Sequence, residues 1–259
     1  MSLPDDKERR DCCAAELAGL GLPFAFVDAV QGRHIPDADF ARLYDEGLNR
    51  RAFKRPLSRN EVACYLGHRK IWRDIAEGDQ DVCLVLEDDA CFVQDPRPFL
   101  DAVAQNADLF LDVMIKLEGV ARKNTTVLRP FADQTLVLSD HLPPRTTGYI
   151  IGRRAAAKLA GRDGPIGRPV DIDLKFYWEH EIPILTLQEQ LVSERPSGGS
   201  QIETSRNKTK PGSGLQRFLR NLLFQARFTQ GRKRHPLQPG MIKELAPLLR
   251  GDTATREHP

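Results

Sequence analysis

Between Val62 and Ile75 the apolar residues Val62, Tyr65, Leu66, Ile71, Trp72 and Ile75 recur at near-helical spacing, behind Ser58 with Glu61 three residues on. Ser at the cap and Glu at the third helical position can each satisfy the other's backbone amide, so the pattern predicts a helix opening at Ser58 and closing at Gly78. The run Val82–Leu86 that follows is short, β-branched at two positions and apolar on both faces. It predicts an interior strand of a mostly parallel sheet. The same reading predicts a helix over 5–20 closed by Gly19 and Gly21, an extended segment Pro23–Val30, and a long loop over 31–57 with one helical piece around Ala38–Tyr44. Downstream it predicts a helix over Pro96–Ala107, a strand over Leu109–Leu117, a β-rich piece Thr135–Leu138, a strand from Thr146 to Gly152 and a helix over Arg153–Ala160. A loop carrying Asp171 and Asp173 should lead into an aromatic-bearing helix, Leu174–Glu179, with strand structure over 182–192. Alternating helices and strands predict an α/β fold, a mostly parallel central sheet flanked by helices.

The composition shifts once. Pro196, Ser197, Gly198, Gly199 and Ser200 predict a mobile loop, which divides the chain into a domain over 1–195 and a tail over 196–259. From Arg206 to Arg234 there are nine basic residues and no acid, so the rest of the chain carries −7 of the formal net +2. Within that stretch Leu215, Phe218, Leu219, Leu222, Leu223 and Ala226 recur at helical spacing among Arg217, Arg220 and Arg227. A basic amphipathic helical tail of this kind over 214–234 suits either an anionic membrane surface or packing on its own domain, and the pattern leaves both open. Stacking platforms are sparse, so no nucleic acid partner is expected.

At 259 residues the chain can bury a full core. No stretch nears the roughly 20 apolar residues of a membrane span, and the first residues are charged where a signal peptide would be apolar. The expected location is the cytoplasm, peripheral on the inner face of a bacterial inner membrane if the tail binds lipid. Five cysteines without a Cys-x-x-Cys pair predict reduced thiols, with no disulfides and no structural zinc.

Glu87, Asp88 and Asp89 end the apolar run 82–86, and a second run, Ala90–Val93, begins at once. Three acids at the carboxyl end of a strand are either a solvated loop or a divalent-metal site. The two apolar runs around them favour the second reading.

The segments Leu57-Ser-Arg-Asn-Glu-Val-Ala-Cys-Tyr-Leu-Gly-His68, Trp72 and Leu84-Val-Leu-Glu-Asp-Asp89 resemble glycosyltransferase family 25. Further matches are Ile115-Lys-Leu-Glu118, Thr147-Gly-Tyr-Ile-Ile-Gly-Arg153, Pro169-Val-Asp171 and a weaker Ser200-x-Ile202-x-x-x-Arg206, so the resemblance covers roughly residues 3–206. It implies a GT-A fold, a nucleotide-sugar donor and manganese or magnesium. The family includes bacterial lipooligosaccharide galactosyltransferases and relatives acting on collagen hydroxylysine; length and the absence of a signal favour the bacterial branch.

By this resemblance Asp89 takes the metal and Glu87 or Asp88 the ribose or a metal-bound water. On an extended segment Glu87 and Asp89 would face the ligand together. Asp171 is the expected general base, with Asp173 as fallback; the alternative is that Asp171 caps the helix after it. His68 either touches the donor or packs. Lys116 either counters phosphate or is solvated. Thr147, Gly148 and Tyr149 should shape the pocket, the tyrosine by stacking on a sugar. Arg9 and Arg10 could reach the nucleotide. Two departures stand out: Met1-Ser-Leu-Pro replaces most of the family's first apolar strand, implying a start codon placed too far downstream or a shortened transferase, and Gly67 replaces serine, implying close backbone packing. The implied function is metal-dependent, inverting transfer of a sugar, galactose by resemblance, from a UDP-sugar to a lipid-linked oligosaccharide. The alternative is a truncated, non-catalytic sugar-binding or scaffold protein of the same fold.

Overall fold

The reciprocal cap forms as the residues at 58 and 61 require. In the computed structural model, which describes residues 1–119, 125–139, 141–195 and 214–236, Ser58 Oγ accepts the Glu61 amide at 3.2 Å and Glu61 accepts the Ser58 amide at 2.9 Å. The helix α4 (Arg59–Glu77) then runs to Gly78 and buries the stripe Val62, Tyr65, Ile71 and Trp72. Before it come α1 (Lys7–Gly19), α2 (Asp37–Leu43) and α3 (Glu46–Ala52). The segment 23–30 forms no named strand, only a parallel bridge between Ser2 and Asp28.

After α4 the chain forms β1 (Val82–Leu86), β2 (Ala90–Phe92), α5 (Arg97–Gln105), β3 (Met114–Lys116), β4 (Thr125–Phe131), β5 (Gln134–Ser139) and β6 (Gly148–Gly152). It continues with α6 (Arg153–Ala160), α7 (Val170–Leu174), β7 (Ile184–Leu187), β8 (Val192–Glu194) and α8 (Gly214–Arg234). Six strands make one sheet in the order β1-β6-β3-β7-β5-β4, and β2 pairs with β8. The expected mostly parallel sheet is corrected to a mixed one: β3 and β7 pair in parallel, while β1–β6, β3–β6, β5–β7 and β4–β5 are antiparallel. β1 stands at one end of the strand order rather than inside it.

Alternation along the strands feeds two cores, because successive side chains point to opposite faces. Val85, Met114, Tyr149, Ile151 and Ile184 pack under α4 and α6; Ile115, Ile150, Leu185 and Leu187 pack on the other side with Phe99 and Val103 of α5. β1 and β3 both pair antiparallel with β6, so they run in the same direction and their carboxyl ends share one edge. The loop expected around Asp171 is a helix, α7, beginning after Pro169; Asp171 and Asp173 lie in its first turn, and Asp171 makes no cap. α8 docks on the domain through Phe224, whose ring meets Phe53 and Phe176. The predicted loop at 196–200 and the Ser200 to Arg206 match lie outside the described residues.

Candidate functional site

The acids of the triplet diverge because the chain turns where an extended segment was expected. The Ala90 amide donates to the Glu87 carbonyl at 3.1 Å, closing a turn with Asp88 and Asp89 at its centre. Pairing of β1 with β6 continues one step further, the Glu87 amide donating to the Thr147 carbonyl at 2.9 Å. The triplet therefore sits beyond the carboxyl end of β1, beside the start of β6 and the end of β3.

Glu87 points inward. Its Oε1 accepts the Thr146 hydroxyl at 2.6 Å and lies 3.3 Å from His68 Nε2. Burial alone would raise this carboxyl, but the His68 hydrogen bond and charge, with the Thr146 hydroxyl, hold it below its ordinary value. Ionised Glu87 leaves His68 Nε2 to donate. His68 Nδ1 meets the Tyr149 hydroxyl at 2.9 Å, and Trp72 Nε1 donates to that hydroxyl at 3.1 Å. His68 and Tyr149 are wholly enclosed. Tyr149 thus has no ring face to stack on a sugar, and its hydroxyl instead orients the histidine that holds Glu87.

Asp88 turns toward the N-terminal segment, accepting Ser2 Oγ at 2.8 Å and Arg9 Nη1 at 3.1 Å. Asp89 has Arg9 only at 3.9 Å, and its Oδ1 is buried without a hydrogen-bond partner. Burial, then the charges of Glu87 and Asp88, push the Asp89 carboxyl up to about 6. An orphaned carboxylate oxygen among like charges fits a divalent cation, which would supply the missing partner and offset the repulsion. Cys64, His68 and Glu87 also bring ligand atoms within 4.8 Å of one another. There, however, the imidazole and carboxylate are already engaged with each other, so Asp89 is the better ligand.

Lys116 is buried under the site. Its Nζ donates to the carbonyls of Pro143, at 3.1 Å, and Arg145, and stands 3.7 Å from Glu118. An ammonium committed to two carbonyls is not free to meet phosphate, and it is not solvated either. Thr147 and Gly148 are buried and contribute backbone: the Thr147 carbonyl holds Glu87, and the Gly148 carbonyl accepts the Leu117 amide at 3.0 Å. Gly67 faces the Met1 side chain, where a Cβ would come within 2.4 Å of Sδ, so the expected close approach is present.

Asp173 is bound into a buried network. Its carboxylate accepts Tyr65 Oη at 2.6 Å and Arg168 Nε at 2.8 Å, and Arg162 stands 3.6 Å away. Asp171, one residue earlier in register than Ile172, is half-buried, and no described residue gives its carboxylate a hydrogen bond or ion pair. The charges of Glu87, Asp171 and Asp89 all add to the burial that raises the Cys64 thiol, so each of them acts on Cys64. Arg9 does reach the triplet, whereas Arg10 turns to Asp28 and the Ser2 and Leu3 carbonyls.

Sequence reasoning gave no role to Thr146, Cys64, Ser2 or Glu118. Cys64 and His68, four apart on a predicted helix, were legible as neighbours on one face. Glu118 is buried with neither carboxylate oxygen hydrogen-bonded and its carboxyl raised by burial despite the nearby Lys116 charge, a state set by three-dimensional surroundings alone.

The model for glycosyltransferase family 25 (LPS biosynthesis protein) matches residues 1–173. Over 180 residues the chain is 29% identical to procollagen galactosyltransferase 1-B of Xenopus laevis, which covers 67% of this chain and 29% of that protein. Against two lacto-N-neotetraose biosynthesis glycosyltransferases of Neisseria meningitidis serogroup B, identity is 28%. The match to LgtE covers 60% of this chain and 56% of that protein, and the match to LgtB 75% and 74%. The chain thus spans less than a third of the procollagen galactosyltransferase it matches.

Proposed function

Because the chain belongs to glycosyltransferase family 25, we propose that it transfers galactose from UDP-galactose to an oligosaccharide acceptor of the lipooligosaccharide kind, with inversion and with a divalent cation. The observation that carries the reading is the acidic turn at the end of β1, where Asp89 keeps a buried oxygen without a partner. The names of the relatives supply the sugar and the acceptor class.

Asp89 would hold Mn²⁺ or Mg²⁺, and the cation's chemistry when bound is to neutralise the diphosphate leaving group. Glu87, fixed by His68 and Thr146, presents a rigid acceptor to a ribose hydroxyl or to a water of the cation. Arg9 beside Asp88 offers a guanidinium to the phosphates from the N-terminal side. Asp171 takes the proton of the acceptor hydroxyl as its oxygen attacks the anomeric carbon opposite the diphosphate. Asp173, saturated by Arg168 and Tyr65, holds α7 in place and so positions Asp171.

Calorimetric titration with a panel of nucleotide sugars, with and without Mn²⁺, tests the donor site. UDP-galactose should bind, more tightly with Mn²⁺, and added oligosaccharide should yield UDP and an elongated product. No binding under any condition would reject an intact donor site. Phosphate release without sugar transfer would reject the transferase reading in favour of a hydrolase.

A further inference from the structure

α8 carries two apolar stripes, and the described residues cover only one. On the inner side Phe224 is buried, stacked parallel to Phe228 at 6.2 Å and edge-on to Phe53 at 5.6 Å. Phe228 meets Phe176 at 5.3 Å. Gly231 lies against Trp178, where a Cβ would come within 2.2 Å of the indole ring, so the helix approaches the domain as closely as glycine allows. Arg220 donates to Asn49 Oδ1 at 2.9 Å. These contacts fix the rotation of the helix about its axis.

That rotation turns Leu215, Phe218, Leu219, Leu222 and Leu223 outward, each between 47% and 67% exposed. Their spacing of three, four, seven and eight residues places them on one face, centred about half a turn from Phe224. Five large apolar side chains on one exposed face are more than the scattered singles of an ordinary surface. α8 has six basic residues and no acid, and Arg227, Lys233 and Arg234 are exposed. Lys233 falls on the same side as Leu215, eighteen residues or about five turns on. Among the described residues no helix is long and apolar enough to cross a membrane.

We propose that this outward face lies on an anionic phospholipid surface, the leucines and Phe218 entering the acyl boundary while the exposed cations meet headgroup phosphates. Charge selects this occupant. Outside residues 206–234 the chain is net −7, so the remainder is repelled by an anionic surface and the segment that includes α8 is the attractive one. Because the inner stripe is packed on the domain, lipid contact would hold the domain in one orientation on the membrane.

The test uses the full chain with sedimented vesicles of phosphatidylcholine alone and of phosphatidylcholine mixed with phosphatidylglycerol. The protein should sediment with the mixed vesicles, less with the neutral ones, and progressively less as salt rises. Leu219→Glu with Leu222→Glu should weaken partitioning at least about tenfold while circular dichroism and the melting temperature stay unchanged. Arg227→Gln, Lys233→Gln and Arg234→Gln together should abolish the preference for the anionic mixture. Absent sedimentation, or equal binding by the leucine variant, would overturn the proposal. So would a dimer in sedimentation velocity that the leucine variant dissociates, with no vesicle binding, since the face would then join two copies of the chain.

Discussion

Asp171 and Asp173 lie two residues apart in one short helix, and replacing each by asparagine should give opposite phenotypes. Asp173 accepts Tyr65 and Arg168 at 2.6 and 2.8 Å in a buried site, and Arg168 is itself only 8% exposed. Breaking a buried charge pair costs about 3–5 kcal/mol. Arg168 keeps Glu179 as a second partner, so the lower end, about 3 kcal/mol, is expected for Asp173→Asn. At about 2–4 °C per kcal/mol for a domain of this size, the melting temperature should fall roughly 6–12 °C. Burial alone would raise Asp173, but the charges of Arg168, His180 and Arg162 and the Tyr65 hydroxyl hold it below 3.8. A depressed folded value means that its stabilisation is present above the ordinary carboxylate range and is lost as pH falls through the depressed one. The gap between wild type and Asp173→Asn should therefore be full at neutral pH and close below about pH 4. Asp171→Asn breaks no described hydrogen bond, so its stability should stay within about 0.5 kcal/mol of wild type, while transfer falls at least about a hundredfold. Thermal melts by circular dichroism across pH, with UDP release in the presence of acceptor, read both. An Asp173→Asn protein that melts normally but is inactive, or an active Asp171→Asn protein, would refute the division of roles.

Tyr149→Phe removes the acceptor for Trp72 and the partner of His68, and should cost about 1–2 kcal/mol in urea unfolding; turnover should fall as Glu87 loses its fixed histidine. Mn²⁺ at a hundred times its dissociation constant should stabilise the wild type by about 2.7 kcal/mol, and Asp89→Asn should lose that increment in thermal melts. Phe224→Ala empties the contact that docks α8, at about 3–4 kcal/mol, and should speed trypsin cleavage at the arginines of that helix.

The elements that could be read from the chain are those whose signals are local. Ser58 with Glu61 set the start of α4, and the alanine-rich run after Gly152 set α6 with its bounds. Strand direction is not local: Val82–Leu86 is apolar on both faces, yet stands at the end of a mixed sheet. The run 109–117 is apolar except at Asp112 and Lys116, and periodicity cannot divide it between strand and buried turn; its first part ends a 3-10 turn at Phe110 and only Met114–Lys116 pairs. β4 carries Pro130 and stands at the other end of the strand order, an edge position of the kind at which a strand tolerates proline. Asp45 caps α3 by accepting the Leu48 amide at 2.7 Å, a signal present in the sequence but followed by only seven helical residues.

For the site, residue chemistry was legible and adjacency was not. Three acids at a strand end pointed to a cation or a polar ligand whatever their orientation, since desolvated charge demands a partner. Which acid is left for that ligand depends on contacts between residues far apart in sequence. His68 and Thr146 take Glu87, and Ser2 and Arg9 take Asp88. Period-two alternation would have paired Glu87 with Asp89 on one side. The turn closed by the Ala90 amide instead sends Glu87 to the His68 side, Asp88 to the N-terminal segment, and leaves Asp89 with an unsatisfied oxygen. Asp89 is thus the member of the triplet whose burial a bound cation would best explain, and a cation response in the wild type that Asp89→Asn lacks and Asp88→Asn keeps would separate it from its neighbour.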